Sequence, residues 1–306
     1  MPLRPLYGHD TVRDRLATAI RTARLPQALL LDGPRGVGKQ RLALWLAQAL
    51  LCEQAPSGGG CGTCRSCRLV STLSHPDLHW FVPLELSRKG ADADKQIELV
   101  EAALGRRKVF IIGNAERLVP QRSNPEAANA LLKVLEEPPS DTLFVLAAAE
   151  PDGLLPTILS RVVRVRLQRL PDSVVTSFVQ AELSDLGNPD RAVSEAEGCI
   201  GRVLANSRAT VAGERDPAAA FAATLQASAA DRYAAALRQA PFQARGGFTD
   251  MLDGLLERLR REARAGGETR RIADAIALVM EAREQAQGNV NPQLLAAVLA
   301  EDLAER

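Results

Sequence analysis

A glycine-rich segment between an apolar run and a helical pattern has the composition of a phosphate-binding loop. It reads GPRGVGKQ at residues 33–40 and follows the apolar run 28–31. Glycines let successive backbone N–H groups turn inward around phosphate, and a lysine opening the next helix reaches the terminal phosphates. The fitting residues are Gly33, Gly36, Gly38 and Lys39. The pattern predicts a nucleotide phosphate loop, and both a working site and a vestigial one remain open.

Three positions lack the side chains that nucleotide hydrolysis requires. A Ser or Thr hydroxyl normally binds Mg²⁺ directly after the lysine, where this chain has Gln40. The apolar strand 108–112 should end in two carboxylates, one for Mg²⁺ and one for the attacking water, but Gly113 and Asn114 follow it. Glu116 comes two residues later, and we expect it to point elsewhere. These losses predict that the chain's own site binds no Mg²⁺ and hydrolyses no nucleotide.

A cysteine cluster between residues 52 and 67 has the spacing of a structural zinc site. Four thiolates close a tetrahedral site and leave no open position for catalysis, whereas a redox CxxC normally stands as one pair. The predicted ligands are Cys52, Cys61, Cys64 and Cys67. His75 and His79 could also bind metal, but we expect structural roles for both. Cys199 is expected to be a buried apolar residue of a later helix.

Strand and helix patterns alternate around these motifs and predict an α/β fold. The segment 129–161 shows the alternation most clearly. It begins with a helix that Pro138 and Pro139 must end, and the uncharged strand 143–147 follows. The predicted elements elsewhere are a helix at 10–22, a strand at 28–31, a helix from the loop to about 51, a strand at 79–82, a helix at 94–104 and a strand at 108–112.

Arg161 ends the segment 129–161, in a Ser-Arg pair after a short helix. Two interpretations compete at this stage. The guanidinium could form a salt bridge that caps its own helix, or it could act as a catalytic group on a phosphate.

Taken in order, these motifs resemble the delta-prime-type subunits of bacterial DNA polymerase III clamp loaders, which belong to the AAA+ superfamily. The resemblance rests on the phosphate loop, the cysteine insert, HPD at 75–77, NALLKVLEEPP at 129–139, and Ser160 with Arg161. It covers residues 1 to about 170 through specific motifs and the remainder through helical pattern only. The related gamma/tau ATPases share the cysteine insert but keep the Ser/Thr and the paired acids, so the degraded centre favours the delta-prime type.

The resemblance implies an architecture of three parts. Residues 1–168 would form an AAA+ P-loop domain with a five-stranded parallel sheet and a zinc module at 52–67. Residues 169–209 would form a small helical lid. Residues 210–306 would form an all-α collar through which five subunits assemble.

The resemblance also implies roles for single residues. An active member has a polar sensor at the end of the strand where this chain has Ala148, and a lid arginine near the place of Gly201. Both are further losses. Arg161 would be an arginine finger that projects into the nucleotide site of a neighbouring gamma/tau subunit, where it stabilises charge on the transferred phosphate.

The implied setting is a hetero-pentamer of this chain with gamma/tau and delta subunits, which loads the sliding clamp onto primed DNA for DNA polymerase III, a DNA-directed DNA polymerase. The expected cofactors are structural Zn²⁺ and, if the loop is occupied, ATP or ADP. A composition of 46% hydrophobic and 25% charged residues is ordinary for a globular protein, and the net charge of +1 gives no bulk attraction to nucleic acid. With neither a leader nor a long apolar run, we expect a cytoplasmic location and no membrane.

Two alternative functions remain open. The chain could be a working ATPase of the gamma/tau kind that takes its Mg²⁺ ligand and base from Asp32 or Glu116. It could also be a zinc-ribbon nucleic-acid module in which Arg65 and Arg68 contact phosphate.

Overall fold

The structure, a computed structural model, describes residues 5–54, 59–81, 107–117, 126–139, 141–212, 217–239, 247–264, 266, 268–286 and 290–305. The helix predicted at 94–104 lies outside these residues. The chain divides into two compact units, Met1–Ser207 and Arg208–Arg306.

The first unit alternates strands with helices as predicted. Its elements are α1 (Asp10–Arg21), β1 (Ala28–Asp32), α2 (Lys39–Leu51), α3 (Arg65–Ser71), β2 (Leu78–Phe81), β3 (Lys108–Gly113), α4 (Glu126–Glu136), β4 (Thr142–Ala148), α5 (Pro156–Leu159), β5 (Val163–Arg166), α6 (Asp172–Glu182), α7 (Pro189–Ala196) and the start of α8 (Ile200–Ala212). Short 3₁₀ turns occur at Ala115–Arg117 and Pro151–Gly153.

The five strands form one parallel sheet in the order β2-β3-β4-β1-β5, which confirms the predicted five-stranded parallel sheet. The central strands β1, β3 and β4 are buried along their whole length. Such strands need apolar side chains on both faces, which is why their sequences are continuous apolar runs rather than alternating ones.

Successive residues of each central strand enter two different cores because side chains alternate across a sheet. Leu29 of β1 and Ile111 of β3 pack with α1 and α2 on one face. Leu30, Phe110 and Phe144 pack with α4 and α5 on the other face. The rings of Phe110 and Phe144 stack with centroids 5.0 Å apart.

Parallel strands end at one common edge, and ligands of open α/β sheets bind outside that edge. The glycine-rich loop leaves the carboxyl end of β1, Gly113 and Asn114 end β3, and Ala148 ends β4. The topology therefore gathers every position of the predicted hydrolytic centre at one edge of the sheet.

All the regular elements among the described residues of the second unit are helices. It contains the remainder of α8 and then α9 (Pro217–Thr224), α10 (Ala229–Leu237), α11 (Gly247–Arg264), α12 (Thr269–Gln285) and α13 (Pro292–Ala304). Its core is separate and includes Phe221, Leu252, Val279 and Leu299. Among the described helices, none combines the length and apolar character that crossing a membrane requires.

Candidate functional site

The glycine-rich loop turns from β1 into α2 through three left-handed glycines. Gly33, Gly36 and Gly38 have φ of 149°, 79° and 111°. At Gly33, a Cβ would lie 2.3 Å from the Leu167 carbonyl oxygen, so a larger residue would force the backbone apart. The loop therefore has the backbone geometry that the glycine spacing predicted.

Lys39 opens α2 and turns its ammonium back onto the loop. Its Nζ donates to the carbonyl oxygens of Gly33 at 2.7 Å and Pro34 at 2.9 Å. Burial lowers the pKa of Lys39 from 10.5 to about 8, and the charge of Glu116 opposes the change. The lysine is thus confined inside the loop in the position from which the motif reaches phosphate.

Glu116 contacts the backbone just after β4. Its Oε1 accepts a hydrogen bond of 3.2 Å from the Ala149 N–H, just beyond β4, and its charge acts on Lys39. The 3₁₀ turn Ala115–Arg117 follows β3, and the Glu116 carboxylate contacts the backbone just beyond β4, so whether Glu116 points away from the hydrolytic centre stays a prediction. No residue pattern indicated that turn.

The positions where an active hydrolase keeps its polar groups surround the same edge. Gln40 lies in the first turn of α2, and Gly113 is the last residue of β3. Asn114 follows with a left-handed φ of 51°, and Ala148 ends β4 fully buried. None of these four side chains supplies a hydroxyl or a carboxylate for Mg²⁺ or water.

Asp32, the first alternative Mg²⁺ ligand, takes part in an ion pair instead. The carboxylate is buried at the end of β1, and its Oδ2 accepts a hydrogen bond of 2.9 Å from Arg164 of β5. A buried charge is costly unless it is paired, so the ion pair with Arg164 gives the buried Asp32 carboxylate a structural role.

Gly201, at the start of α8, packs directly on the loop. Its N–H donates to the Gly36 carbonyl oxygen at 2.8 Å. A Cβ on Gly201 would lie 2.5 Å from the Gly36 Cα, a distance that no side chain tolerates. The arginine that the resemblance leads one to expect near this place could not be accommodated at Gly201 in this arrangement, since its Cβ would meet the same backbone.

The four clustered cysteines converge with the geometry of a metal site. Their Sγ atoms all lie within 4.8 Å of one another, and the Cys52–Cys64 and Cys61–Cys67 separations are 4.0 and 3.9 Å. Zinc–sulfur bonds of about 2.3 Å in a tetrahedron place sulfurs about 3.8 Å apart. All five cysteines of the chain are free thiols rather than disulfides. The cluster therefore fits structural zinc.

Hydrogen bonds to sulfur also favour thiolates in this cluster. The Thr63 hydroxyl and the Cys64 N–H, at 3.5 and 3.3 Å, lower the pKa of Cys61 to about 6. Burial raises the pKa of Cys67. A bound cation offsets that burial, because metal ligation deprotonates a thiol outright.

The module is attached to α2 and therefore to the loop. Cys52 follows the last residue of α2, and Gln48 of α2 donates to the Ser71 hydroxyl of α3 at 2.9 Å. A Cβ on Gly60 would lie 2.9 Å from the Cys67 Sγ, so this glycine permits the close turn around the sulfurs. Arg65 and Arg68 remain exposed on the rim.

The remaining candidate ligands stay outside the metal cluster found among the described residues. His75 is buried and its Nδ1 accepts a hydrogen bond from the Asp77 N–H, while the ring of His79 stacks on Phe110 at 4.6 Å. Burial lowers the pKa of both histidines. Cys199 is fully buried as expected, but it precedes α8 rather than lying within it.

Arg161 follows α5 at the surface of the first unit, with its side chain 32% exposed. Its Nη1 donates to the Thr157 carbonyl oxygen at 2.9 Å, a capping contact with its own helix. Its Nη2 donates to Glu136 Oε1 at 2.5 Å. Arg161 thus caps its own helix by a hydrogen bond, its salt bridge joins it to α4 rather than to that helix, and the guanidinium remains accessible to a neighbouring molecule.

Comparison with known proteins gives a consistent set of relatives. A family model described as DNA polymerase III, delta subunit matches residues 8–171. The chain is 43% identical over 142 residues to DNA polymerase III subunit delta' of Pseudomonas aeruginosa, covering 45% of this chain and 42% of that one. It is 36% identical over 191 residues to subunit delta' of Bacillus subtilis, covering 59% and 56%.

A second group of relatives consists of gamma/tau subunits rather than delta' subunits. The chain is 35% identical over 179 residues to DNA polymerase III subunit gamma/tau of Mycobacterium bovis, covering 57% of this chain and 30% of that one. The matches thus span about half the length of the delta' relatives and less of gamma/tau.

Proposed function

The chain belongs to the family described as DNA polymerase III, delta subunit, and from that premise we propose that it is a delta-prime-type clamp-loader subunit. In this proposal the chain hydrolyses no nucleotide itself. It supplies Arg161 to the nucleotide site of a neighbouring gamma/tau subunit, while the assembled complex loads the sliding clamp onto primed DNA. The delta' relatives support the subunit type.

One observation carries the proposal: the side chains of the hydrolytic centre are missing together at the edge where the phosphate loop is kept. Gln40, Gly113 and Asn114 provide no Mg²⁺ ligand or base. Lys39 stays inside a well-formed loop. This combination favours a site that binds the phosphates of ATP or ADP without cleaving them, with Gly33, Gly36 and Gly38 as the cradle.

Arg161 is suited to the finger role by exposure and by chemistry. A planar guanidinium offers five N–H donors and matches phosphate oxygens in pairs. It follows the short helix α5 and is partly exposed at the surface, which supports this role. A finger supplied in trans stabilises charge on the transferred phosphate by roughly 10³- to 10⁵-fold in rate.

The other parts of the proposed assembly have structural roles. Zinc held by the four cysteines would fix the module at 52–67 on α2. Residues 169–209 would serve as the lid, and residues 210–306 as the collar that joins gamma/tau and delta subunits in a hetero-pentamer. A cytoplasmic location belongs to the same proposal.

The test uses the assembled loader. Replacing Arg161 by Ala should lower DNA-stimulated ATP turnover, with a loss of roughly 10³- to 10⁵-fold at the one site that the finger serves. Assembly, measured by size-exclusion chromatography, should stay intact, because the side chain is exposed.

Arg191→Ala is the matched control. Arg191 is also exposed in the first unit and pairs with Glu195 at 2.8 Å, so its loss should leave turnover unchanged. Normal turnover in the Arg161→Ala complex would contradict the proposed finger.

A working ATPase of the gamma/tau kind is the second candidate. The charge of Glu116 acts on Lys39, and this effect together with the gamma/tau relatives favours it. Steady ATP hydrolysis by the purified chain, abolished by both Lys39→Ala and Glu116→Gln, would establish this function and exclude the first.

A further inference from the structure

The guanidinium of Arg161 is held from three directions. Nη1 donates to the Thr157 carbonyl oxygen at 2.9 Å and to the Ser160 hydroxyl at 3.3 Å, and Nη2 donates to Glu136 Oε1 at 2.5 Å. Two of these acceptors belong to the turn that carries Arg161. Only Glu136 comes from another element, 25 residues earlier in the chain.

Glu136 has a fixed place because α4 must end there. Pro138 and Pro139 prevent the helix from continuing, so its last turn is set by the sequence. The preceding Leu135 is buried in the same core as Ile158 of α5, at 5% and 0% exposure. The ion pair therefore spans two elements whose backbones are already fixed by packing.

The pair leaves donors for a further anion. A guanidinium has five N–H groups, and the three contacts use at most three of them. The Arg161 side chain is 32% exposed and that of Glu136 is 51% exposed. A phosphate approaching from solvent can thus meet the guanidinium without first breaking its contact with Glu136.

We infer that Glu136 is a positioning residue, which holds Arg161 in the orientation that a neighbouring nucleotide site requires; this inference rests on the proposed finger role. An exposed ion pair is too weak to sequester an arginine from a phosphate that carries more charge than one carboxylate. It is strong enough to favour one rotamer of a long side chain, and small displacements of a positioned group are costly in rate.

Two substitutions separate positioning from electrostatic competition. Glu136→Ala removes the acceptor, whereas Glu136→Gln keeps an acceptor oxygen and removes the charge. Positioning by the hydrogen bond predicts that the Ala variant loses activity and the Gln variant largely keeps it. A carboxylate that withheld Arg161 from its target would give the opposite result, since both variants would then be faster.

The experiment measures ATP turnover of the loader reassembled with each variant, in the presence of primed DNA. We expect kcat to fall about fivefold for Glu136→Ala at unchanged KM, and to stay within about twofold of wild type for Glu136→Gln. Glu137→Ala is the matched control, because Glu137 is the adjacent exposed acid. In an Arg161→Ala background, Glu136→Ala should have no additional effect, a dependence that a merely structural role would not produce.

The outcomes distinguish this inference from the function on which it rests. If Arg161→Ala lowers turnover and Glu136→Ala does not, the proposed finger role of Arg161 is supported and the positioning role of Glu136 is contradicted. Faster turnover in both Glu136 variants also overturns it. If Arg161→Ala itself has no effect, the proposed function fails and the inference fails with it.

Discussion

At the residue scale, Lys39 shows how a retained motif residue is held in a site without hydrolytic partners. Two loop carbonyl oxygens take its ammonium, and burial lowers its pKa to about 8. Desolvation favours the neutral amine, so the folded loop carries an electrostatic cost at neutral pH. Phosphate oxygens would relieve that cost, which is a physical reason for such a loop to bind a nucleotide.

This cost predicts how stability depends on pH. In the unfolded chain Lys39 keeps its proton up to about pH 10.5, whereas in the folded chain its lowered pKa releases the proton near pH 8. The unfolded chain therefore binds more protons between these two pH values. The free energy of unfolding of the first unit should therefore rise by about 1–3 kcal/mol across that window. Denaturant unfolding followed by tryptophan fluorescence reports on this unit, because Trp45 and Trp80 are the two tryptophans of the chain.

Two variants test whether Lys39 causes this rise of the unfolding free energy with pH. Lys39→Met has no ammonium, and Lys39→Arg stays charged throughout, so neither should show the rise that wild type shows. If the unfolding free energy rose equally with pH in all three proteins, a group other than Lys39 would be responsible.

At the element scale, the zinc module and α2 form one structural piece. Cys52 follows α2, Cys64 caps α3 by accepting from the Cys67 N–H, and Gln48 joins the two helices. Since α2 also begins with Lys39, loss of the metal should loosen the helix that carries the loop.

Replacing one of the four cysteines should therefore lower both the zinc content and the stability of the first unit. The purified chain should contain one zinc ion per molecule by atomic absorption, and Cys67→Ser should contain little. The substitution should lower the unfolding free energy of the first unit by about 3 kcal/mol when free zinc is about 100-fold above its Kd. Cys199→Ala is the control, because Cys199 is a buried cysteine outside the cluster. Full zinc content in Cys67→Ser would exclude the four-cysteine site.

The contact between α8 and the loop is a second feature at this scale. Gly201 and Gly36 meet backbone to backbone, and a Cβ on Gly201 would lie 2.5 Å from the Gly36 Cα, so position 201 has no room for a side chain. The absence of a side chain at Gly201 therefore allows α8 to pack on the loop.

At the scale of the whole molecule, the two units have independent cores. The second unit buries Leu252 completely between its own helices, and it contains no tryptophan. A core change there should consequently affect one unit only.

Leu252→Ala tests this independence. Removing the buried side chain should lower the unfolding free energy of the second unit by about 2–5 kcal/mol. Calorimetry should show one transition shifted to lower temperature, while the fluorescence midpoint of the first unit remains unchanged. Leu294→Ala removes a leucine that is 58% exposed and should shift neither transition measurably. A parallel shift of both transitions would show that the units unfold as one.

Much of the fold and of the candidate site could be predicted from local patterns. The apolar runs, glycine spacing and proline pair located β1, β4, the loop and the end of α4, because backbone restriction and burial on two faces depend on residue types nearby. Three of the four cysteines were recognisable for the same reason, since CxxC spacing brings the sulfurs of Cys61, Cys64 and Cys67 together, whereas Cys52 joins them through the fold. The absence of the expected hydroxyl and carboxylates at Gln40, Gly113 and Asn114 could be predicted from the order of the motifs alone.

The tertiary structure decided the contacts between residues far apart in the chain. It brought the Glu116 carboxylate to the Ala149 N–H, joined Glu136 to Arg161, and set Gly201 against Gly36. Each of these depends on how a turn or a helix end is aimed after packing, which a periodic pattern does not encode. The sequence thus determined which chemical groups the protein has, whereas the packing of the sheet and helices determined which of them meet.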